Sequence, residues 1–173
     1  ASSAQGVDVV DAVDVIASDD TCTGVDGAGS RWLAPHRRRG HDGAMDEDGR
    51  QTWVEHLSED ECWRRLASTP VGRIGIIYDS APELYPVNYA LDGRAIVIRV
   101  DPGRVLAGLT RSPAVCFEID HIDADDESGW SVLVKGRARE LVDGPELERA
   151  AALPLRGWSL GAKAHWVRIE PEE

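Results

Sequence analysis

The chain has 173 residues, a length typical of a single domain, and its 31 acidic and 19 basic residues give a net charge of −12 at pH 7. Such a charge repels the phosphates of nucleic acids and the anionic surfaces of membranes. The sequence also has no apolar run of the roughly 18 residues that a membrane helix needs, and it has acids where a signal peptide carries Lys or Arg. We therefore expect a cytoplasmic protein without nucleic-acid or membrane partners.

The residue types that usually bind metals or perform hydrolysis are scattered. Cys22, Cys62 and Cys116 are widely spaced, which is typical of reduced thiols rather than of a zinc site. The histidines do not fall in a metal-ligand spacing, and no nucleophile-elbow, P-loop or dinucleotide-binding motif is present. We therefore predict no metal, and the residues alone leave the catalytic groups unknown.

Composition changes near residue 50. Residues 1–50 are rich in Asp, Gly, Ala and Ser and lack a sustained apolar period. This profile predicts a disordered N-terminal extension over residues 1–50 and a folded domain over residues 51–173. Met45 is the only methionine, which leads to the hypothesis that it is the natural start and that the residues before it are upstream sequence.

The folded part is predicted to begin with a short helix. Ser58 and Glu61 form an S-x-x-E capping box, and Leu57 and Cys62 occupy the positions of a hydrophobic staple. A helix of about ten residues should follow. It should end before Pro70, because a proline disfavours helical backbone in the residue that precedes it.

Beyond Pro70 the apolar residues alternate with the two-residue period of β-strands. Asp92-Gly93 is a pair suited to a type I′ hairpin, and short helices are predicted near Val105 and from Asp143 to about Ala152. The pattern predicts a mainly β fold with short helices, in which six mostly antiparallel strands form a closed or half-closed barrel. The predicted strands are Val71–Tyr78, Glu83–Leu91, Ala95–Val100, Ala114–Asp120, Gly129–Val142 and Ala164–Glu170.

Two arginines stand at a strand end within this acidic chain. Arg99 closes the third predicted strand, and Arg104 lies beyond the Pro-Gly break at the start of a helical turn. A phosphate at this point would meet guanidinium donors and the positive end of a short helix together. The spacing is equally compatible with arginines that pair with nearby acids such as Asp101.

Five sequence blocks, taken in order over about residues 57–170, resemble the pyridoxamine 5′-phosphate oxidase-like family of the FMN-binding split-barrel superfamily. This resemblance implies a six-stranded antiparallel split β-barrel that forms a homodimer, with FMN in a cleft at the subunit interface. The blocks are Gly72-Arg73-Ile74-Gly75, Tyr85-Pro86-Val87-Asn88-Tyr89, Ile98-Arg99-Val100 with Gly103-Arg104-Val105-Leu106, Val115-Cys116-Phe117-Glu118-Ile119-Asp120, and Gly129-Trp130-Ser131-Val132-Leu133-Val134-Lys135-Gly136-Arg137-Ala138.

The resemblance assigns the FMN phosphate to the third strand and the turn after it. Arg99 and Arg104 correspond to the phosphate-binding element of the family. Val100 also belongs to this element, but many members have Thr or Ser there and Lys at the position of Arg104. The valine removes a hydroxyl donor, whereas Arg104 keeps the positive charge.

The resemblance assigns the flavin ring to two other strands. Pro86, Val87 and Asn88 match the strand that lies along the isoalloxazine in the family. Trp130 and Ser131 match a segment near the flavin, and Ser131 is an expected hydrogen-bond donor from the partner subunit. Without the family, a core tryptophan and a strand-surface serine are equally good interpretations of these two residues.

The function implied by the resemblance is that of an FMN-dependent oxidoreductase acting on an unidentified small molecule. A different class stays open, in which the same barrel binds a flavin, deazaflavin or haem without turnover as a carrier or sensor. A barrel dimer without any ligand is the third possibility. In the flavoprotein case the cofactor supplies the redox chemistry, which explains why the sequence lacks a recognisable acid-base set.

Overall fold

The fold is that of a computed structural model, which describes residues 57–125, 128–157 and 164–172. It also describes the backbone of two antiparallel pairs of two-residue strands, Gly24–Val25 with Arg31–Trp32 and Ala44–Met45 with Gln51–Thr52. The disordered extension predicted over residues 1–50 otherwise lies outside the described residues. That prediction, the domain boundary at residue 51 and the hypothesis of a start at Met45 stay predictions.

Helix α1 spans Glu59–Leu66. Ser58 caps it as the sequence predicts, because its side-chain oxygen accepts a hydrogen bond from the backbone amide of Glu61 at 3.3 Å. Acids fill the first turn and arginines the last, which suits the helix dipole. The helix buries Cys62 and Leu66, and burial raises the pKa of the Cys62 thiol.

Six antiparallel strands form a closed barrel in which β6 completes the ring by pairing with both β3 and β5. The order around the barrel is β6-β3-β2-β1-β4-β5. The predicted mainly β, six-stranded antiparallel barrel is therefore confirmed. The strands are Val71–Tyr78 (β1), Ala81–Leu91 (β2), Ile96–Val100 (β3), Ala114–Asp123 (β4), Ser128–Leu141 (β5) and His165–Pro171 (β6).

The first two hairpins of the barrel have different turns. Asp79 and Ser80 both have positive φ, at 50° and 65°, in the two-residue turn between β1 and β2. Positive φ at both central residues is the feature of a type I′ turn. In the β2–β3 connection Asp92 instead pairs with Ala95, and of the loop residues between them only Gly93 has a positive φ. The type I′ turn predicted at Asp92-Gly93 is therefore wrong.

The barrel interior is filled by the alternate side chains that the strand period predicts. Phe117 lies at its centre with no exposed surface, and Gly72 of β1 makes room for it. A Cβ atom at Gly72 would lie 2.3 Å from the Phe117 Cζ atom, so this position excludes every larger residue. The other fully buried side chains of the strands include Ile74, Ile96, Ile98, Ile119, Val132, Val134, Val167 and Ile169.

Two further helices connect the strands. Helix α2, Arg104–Arg111, joins β3 to β4 and packs on β1 through Gly108, where a Cβ atom would lie 2.7 Å from Ile76. Helix α3, Gly144–Ala152, follows β5. It covers a second cluster of buried residues made by Val97, Leu141, Ala150 and Leu155. No helix in the described parts of the chain is long and apolar enough to cross a membrane.

The residues of the barrel, Leu57–Asp120 and Ser131–Glu173, belong to one compact unit. The tip of the β4–β5 hairpin, His121–Trp130, belongs to another. Within the tip the rings of His121 and Trp130 lie with their centroids 6.1 Å apart. Backbone also approaches backbone closely there, because a Cβ atom at Gly129 would lie 2.8 Å from the carbonyl oxygen of His121.

Tyr89 of β2 attaches α1 to the barrel. Its hydroxyl donates a hydrogen bond to the backbone carbonyl of Leu66 at 2.6 Å, and its ring meets Phe117 edge to face at 4.8 Å between centroids. The side chain is 4% exposed, and this burial raises the pKa of the Tyr89 hydroxyl. One side chain thus joins the last turn of α1 to the aromatic centre of the barrel.

We predict that Tyr89→Phe lowers the free energy of unfolding by about 1–3 kcal/mol, because the ring is kept but a buried carbonyl loses its donor. Urea unfolding followed by circular dichroism measures this change. A variant within about 0.5 kcal/mol of the wild type, the scale of an ordinary surface substitution, would contradict a role for this bond in holding α1.

Candidate functional site

Helix α2 begins with a positive charge where helices usually carry negative ones. Arg104 is its first residue, and no acid occupies the first turn. The residue before it, Gly103, has extended backbone and offers no side-chain cap. The amide groups of a first helical turn attract anions, and a positive charge at this position does not compensate them. The start of α2 therefore lacks the acid that would stabilise it.

The guanidinium of Arg104 reaches the first part of β2. Its Nη1 atom donates a hydrogen bond to Glu83 Oε1 at 2.9 Å, and the side chain of Arg104 remains 66% exposed. The other oxygen of Glu83 accepts a hydrogen bond from the Tyr85 hydroxyl. These contacts raise the pKa of both Arg104 and Tyr85, mainly through the hydrogen bond to Glu83.

Arg104 also contacts Tyr78, the last residue of β1. The guanidinium carbon of Arg104 lies 5.4 Å from the centroid of the Tyr78 ring, and that of Arg111 lies 5.8 Å from it. The first and last residues of α2 therefore both contact the same aromatic ring. The sequence left open that both arginines pair with nearby acids such as Asp101. Arg104 does pair with an acid, and the acid is Glu83.

Arg99 contacts a different strand. Its guanidinium carbon lies 4.7 Å from the centroid of the Trp166 ring, the residue that faces it across the β3–β6 pair. Val100, the next residue, is only 5% exposed. The strand period thus points its side chain into the barrel, which leaves the backbone of Val100 for any ligand contact. Arg99, Val100 and Arg104 are the three residues predicted to bind phosphate. Of these, Arg104 is the first residue of α2.

An apolar cleft of about 450 Å³ opens beside Glu83. Gly75 is among its lining residues and faces Leu84 of β2 on one side and Cys116 of β4 on the other. A Cβ atom at Gly75 would lie 2.5 Å from the Cys116 Sγ atom, so the glycine leaves room for the thiol. The lining residues are Gly75, Ile76, Ile77, Pro82, Glu83, Leu84, Ala114, Val115, Cys116, Lys135, Gly136 and Glu172.

The predicted ring-binding residues of β2 follow directly after the cleft along the strand. Pro86 is exposed, whereas Val87 and Asn88 are half-buried. Asn88 donates a long hydrogen bond of 3.5 Å to the carbonyl of Pro70. Pro86 faces Arg73 across the β1–β2 pair. Strand alternation places Pro86 and Asn88 on the face of Pro82 and Leu84 and Val87 on the other face, and the contact of the three residues with a flavin ring stays a prediction.

Next to Pro86, an ion-pair cluster covers the neighbouring strands. Arg73 forms ion pairs with Glu118 at 3.1 Å and with Asp120. Burial, together with the charge of Asp120, raises the pKa of Glu118. Two acids surround the single charge of Arg73, so this cluster is negative overall and does not favour an anionic ligand.

Trp130 and Ser131 occupy the first part of β5, and both are half-buried. Trp130 belongs to the hairpin tip, where its ring faces that of His121, and Ser131 belongs to the barrel unit. The division between these two units leaves the predicted roles of Trp130 and Ser131 near a flavin as predictions. The hydrogen bond that Ser131 is expected to donate across a subunit interface also stays a prediction.

The described residues supply few candidates for side-chain catalysis. Among them, no group of three or more His, Cys, Asp or Glu is placed to hold a metal ion. Cys62 and Cys116 are free thiols, in agreement with the sequence analysis. The charged residues that line the cleft are Glu83, Lys135 and Glu172, and the rest of its lining is mainly apolar.

The sequence named Arg104 as a site residue, and its contact with phosphate stays a prediction; the sequence did not single out Glu83, Tyr85 or Gly75. Glu83 was only the first residue of a predicted strand, and its link to Arg104 depends on where α2 packs. Gly75 lies within a strand, where an isolated glycine signals a close approach. That signal could have indicated the contact with Cys116, although it does not reveal which neighbour makes it.

The chain is similar to known proteins over the whole of its barrel. The family model described as pyridoxamine 5′-phosphate oxidase matches residues 58–173. An uncharacterized protein from Mycobacterium tuberculosis is 35% identical over 124 residues, which cover 69% of this chain and 81% of that protein.

Two similar solved structures are described as FAD-binding proteins. The protein from Mycobacterium smegmatis has 33% identity and a TM-score of 0.57, covering 68% of this chain and 91% of that chain. The protein from Mesorhizobium loti has 28% identity and a TM-score of 0.56, with the same coverage. The match to the family model spans well over half of the chain and includes every strand of the barrel. The chain therefore belongs to the pyridoxamine 5′-phosphate oxidase family.

Proposed function

We propose that this protein is a flavin-dependent oxidoreductase that binds FMN and acts on a small molecule. The observation that carries the proposal is the position of Arg104, which begins α2 with an exposed guanidinium and bonds Glu83 of β2, a strand that also borders an apolar cleft. A flavin nucleotide combines a negatively charged phosphate with a flat, largely apolar ring. The guanidinium offers the charge for the phosphate, and the cleft offers the apolar surface for the ring.

The residues present fit such a group. The phosphate would bind to the guanidinium of Arg104 and to the backbone amides at the start of α2. The ring would lie along β2, where Leu84 and Pro86 are exposed apolar surface, so that binding removes this surface from water. A bound flavin supplies hydride and electron transfer. The chain itself binds and orients the ring and excludes water, which requires few ionised side chains.

FAD is the second candidate for the cofactor. The similar proteins from M. smegmatis and M. loti are described as FAD-binding, and FAD has the same ring and an additional nucleotide. In both cofactors a phosphate is attached to the ring through the same ribityl chain. Both are therefore compatible with a contact between Arg104 and the phosphate. Chromatography of the cofactor released from the purified full chain by heat distinguishes FMN from FAD, and absorbance near 450 nm distinguishes either from haem.

We predict that Arg104→Ala weakens FMN binding by about ten- to a hundredfold, the scale of a charge-assisted hydrogen bond. Arg99→Ala, at the other predicted phosphate ligand, is expected to have an effect of similar size. Quenching of flavin fluorescence measures the dissociation constants. Arg139→Ala is the matched control, because Arg139 is also an exposed arginine paired with acids, namely Glu146 and Glu170. Wild-type affinity in both Arg99 and Arg104 variants would contradict the phosphate assignment.

We predict that the flavin-loaded protein is reduced by NADPH or NADH and is reoxidised by a small acceptor, because a bound flavin accepts hydride and passes electrons on. Anaerobic stopped-flow absorbance near 450 nm follows the reduction. A protein that holds the flavin but shows no reduction by either nucleotide would favour a carrier or sensor over an enzyme.

A homodimer is part of the proposal. Ile77 and Leu84 are 45% and 61% exposed, and both line the cleft. Large apolar side chains exposed together are typical of a protein interface. A second copy that covers them would exclude water from the ring. The homodimer and its contribution to the cofactor site rest on this argument and on the family resemblance.

We predict that Leu84→Glu shifts the protein from dimer to monomer and lowers its flavin content, because a charge in an apolar contact must be desolvated. Sedimentation equilibrium measures the mass in solution. Val142→Glu is the control, since Val142 is 75% exposed just after β5 and does not line the cleft. A wild-type protein that sediments as a monomer would overturn the dimer.

A further inference from the structure

One face of the β1–β2 hairpin carries α2. Ile76 of β1 faces Glu83 of β2, and strand alternation puts Tyr78 on the same face as Ile76. Helix α2 packs on this face through Gly108, where a Cβ atom would lie 2.7 Å from Ile76. The ring of Tyr78 and the carboxylate of Glu83 are therefore neighbours of α2, in agreement with their contacts to Arg104.

The two ends of α2 meet at the Tyr78 ring. Arg104 and Arg111 are the first and last residues of the helix, and residues seven apart lie on one side of a helix, offset by only about 20°. Their guanidinium carbons lie 5.4 Å and 5.8 Å from the centroid of the ring, so the two carbons are no more than about 11 Å apart. The half-buried ring positions both exposed side chains.

These two arginines have fewer acidic partners than Arg73 and Arg139, each of which pairs with two acids. Arg104 bonds Glu83, whereas Arg111 forms no ion pair within the part of the chain that the structure describes. Guanidiniums that contact one ring repel each other, and in these contacts a single carboxylate faces two positive charges. An anion bound to both arginines would relieve that repulsion.

The separation of the two guanidiniums indicates the kind of anion. A guanidinium that bonds a phosphate group holds the phosphorus about 4 Å from its own carbon, so a single phosphate bonds two guanidiniums only where their carbons lie within about 8 Å. A diphosphate, whose phosphorus atoms are about 3 Å apart, spans up to about 11 Å. Every separation that the contacts with Tyr78 allow is therefore within the reach of a diphosphate, whereas only the shorter ones suit a single phosphate.

We propose that Arg104 and Arg111 form a diphosphate-binding site, in which each guanidinium donates to one phosphate and the ring of Tyr78 positions both. The inference rests on the proposed function in taking Arg104 as the anion-binding residue. It adds Arg111 to the site and names two linked phosphates as the ligand class. FAD and a nicotinamide dinucleotide that donates hydride both contain such a group, and FMN does not.

The test measures the dissociation constants of inorganic phosphate and inorganic pyrophosphate on the full chain by isothermal titration calorimetry. Arg111→Ala removes the second cation. Arg64→Ala is the matched control, because Arg64 is also an exposed arginine in the last turn of a helix and its loss makes the same change in net charge. Circular dichroism verifies that the variants are folded.

Arg111→Ala is expected to raise the dissociation constant of pyrophosphate about three- to tenfold, the effect of one charge at contact distance in a largely aqueous setting. The dissociation constant of phosphate should change by less than about twofold, because a single phosphate on Arg104 lies farther from Arg111. The preference for pyrophosphate over phosphate therefore falls in this variant. Arg64→Ala should resemble the wild type with both anions.

Two variants of Tyr78 test its positioning role. Tyr78→Phe keeps the ring and should retain wild-type affinity for pyrophosphate. Tyr78→Leu removes the ring and is expected to weaken pyrophosphate about as much as Arg111→Ala does, because both guanidiniums lose the surface that holds them. Equal affinities of the Phe and Leu variants would contradict this role.

Titrations of FAD and FMN distinguish the two sources of the diphosphate. If FAD supplies it, Arg111→Ala weakens the binding of FAD more than that of FMN. If the nicotinamide dinucleotide supplies it, the variant leaves both flavins unchanged and raises the dissociation constant of NADP⁺ for the flavin-loaded protein.

Equal changes for phosphate and pyrophosphate in Arg111→Ala, or no change for pyrophosphate, would overturn the inference. So would a change of mass in sedimentation equilibrium, because Arg111 would then belong to a subunit interface. The proposed function fails separately. If pyrophosphate responds as expected but no flavin binds, the diphosphate site stands and the flavin assignment falls. If a flavin binds but pyrophosphate does not respond to the loss of Arg111, the diphosphate site falls and the proposed function stands.

Discussion

The pairing of β6 with two strands closes the barrel, and the rest of the structure depends on that closure. Trp166 faces Arg99 of β3 on one side and Leu141 of β5 on the other. Without β6, both of these strands would present unpaired backbone groups at an open edge. The closed ring fixes the end of β3. It thereby fixes the short turn to α2 and the place where Arg104 meets β2.

The candidate anion site has little net charge of its own. The chain carries a net charge of −12, and Arg104 already has a carboxylate partner in Glu83. The result at Arg104 is a local balance rather than a basic patch, and the acidic chain as a whole discourages polyanions as a class of ligand.

The sequence predicts the barrel well because its strands alternate clearly. Strand β1 begins and ends where the period indicates, and Ser58 caps α1 as the capping box requires. The turn types are predicted less well. A Gly-containing pair suggested type I′ geometry, but the structure places that geometry at Asp79 and Ser80, where pairing of the flanking strands overrides the backbone preferences of the loop residues.

The site is predicted only in part, for a physical reason. Arg104 could be chosen from its place after a strand end, which is a local feature. Its link to Glu83 is formed between residues 21 positions apart, and it exists only because α2 packs against β1. Val100 is a residue that the family resemblance places in the site, whereas the alternation of β3 turns its side chain toward the barrel interior.

The absent side chain at Gly75 has a consequence for substitution. A Cβ atom there would lie 2.5 Å from the Cys116 Sγ atom, so the sulfur occupies the place that a side chain would take. Any larger residue at position 75 must displace this sulfur, and the glycine and the cysteine therefore constrain each other across the β1–β4 pair.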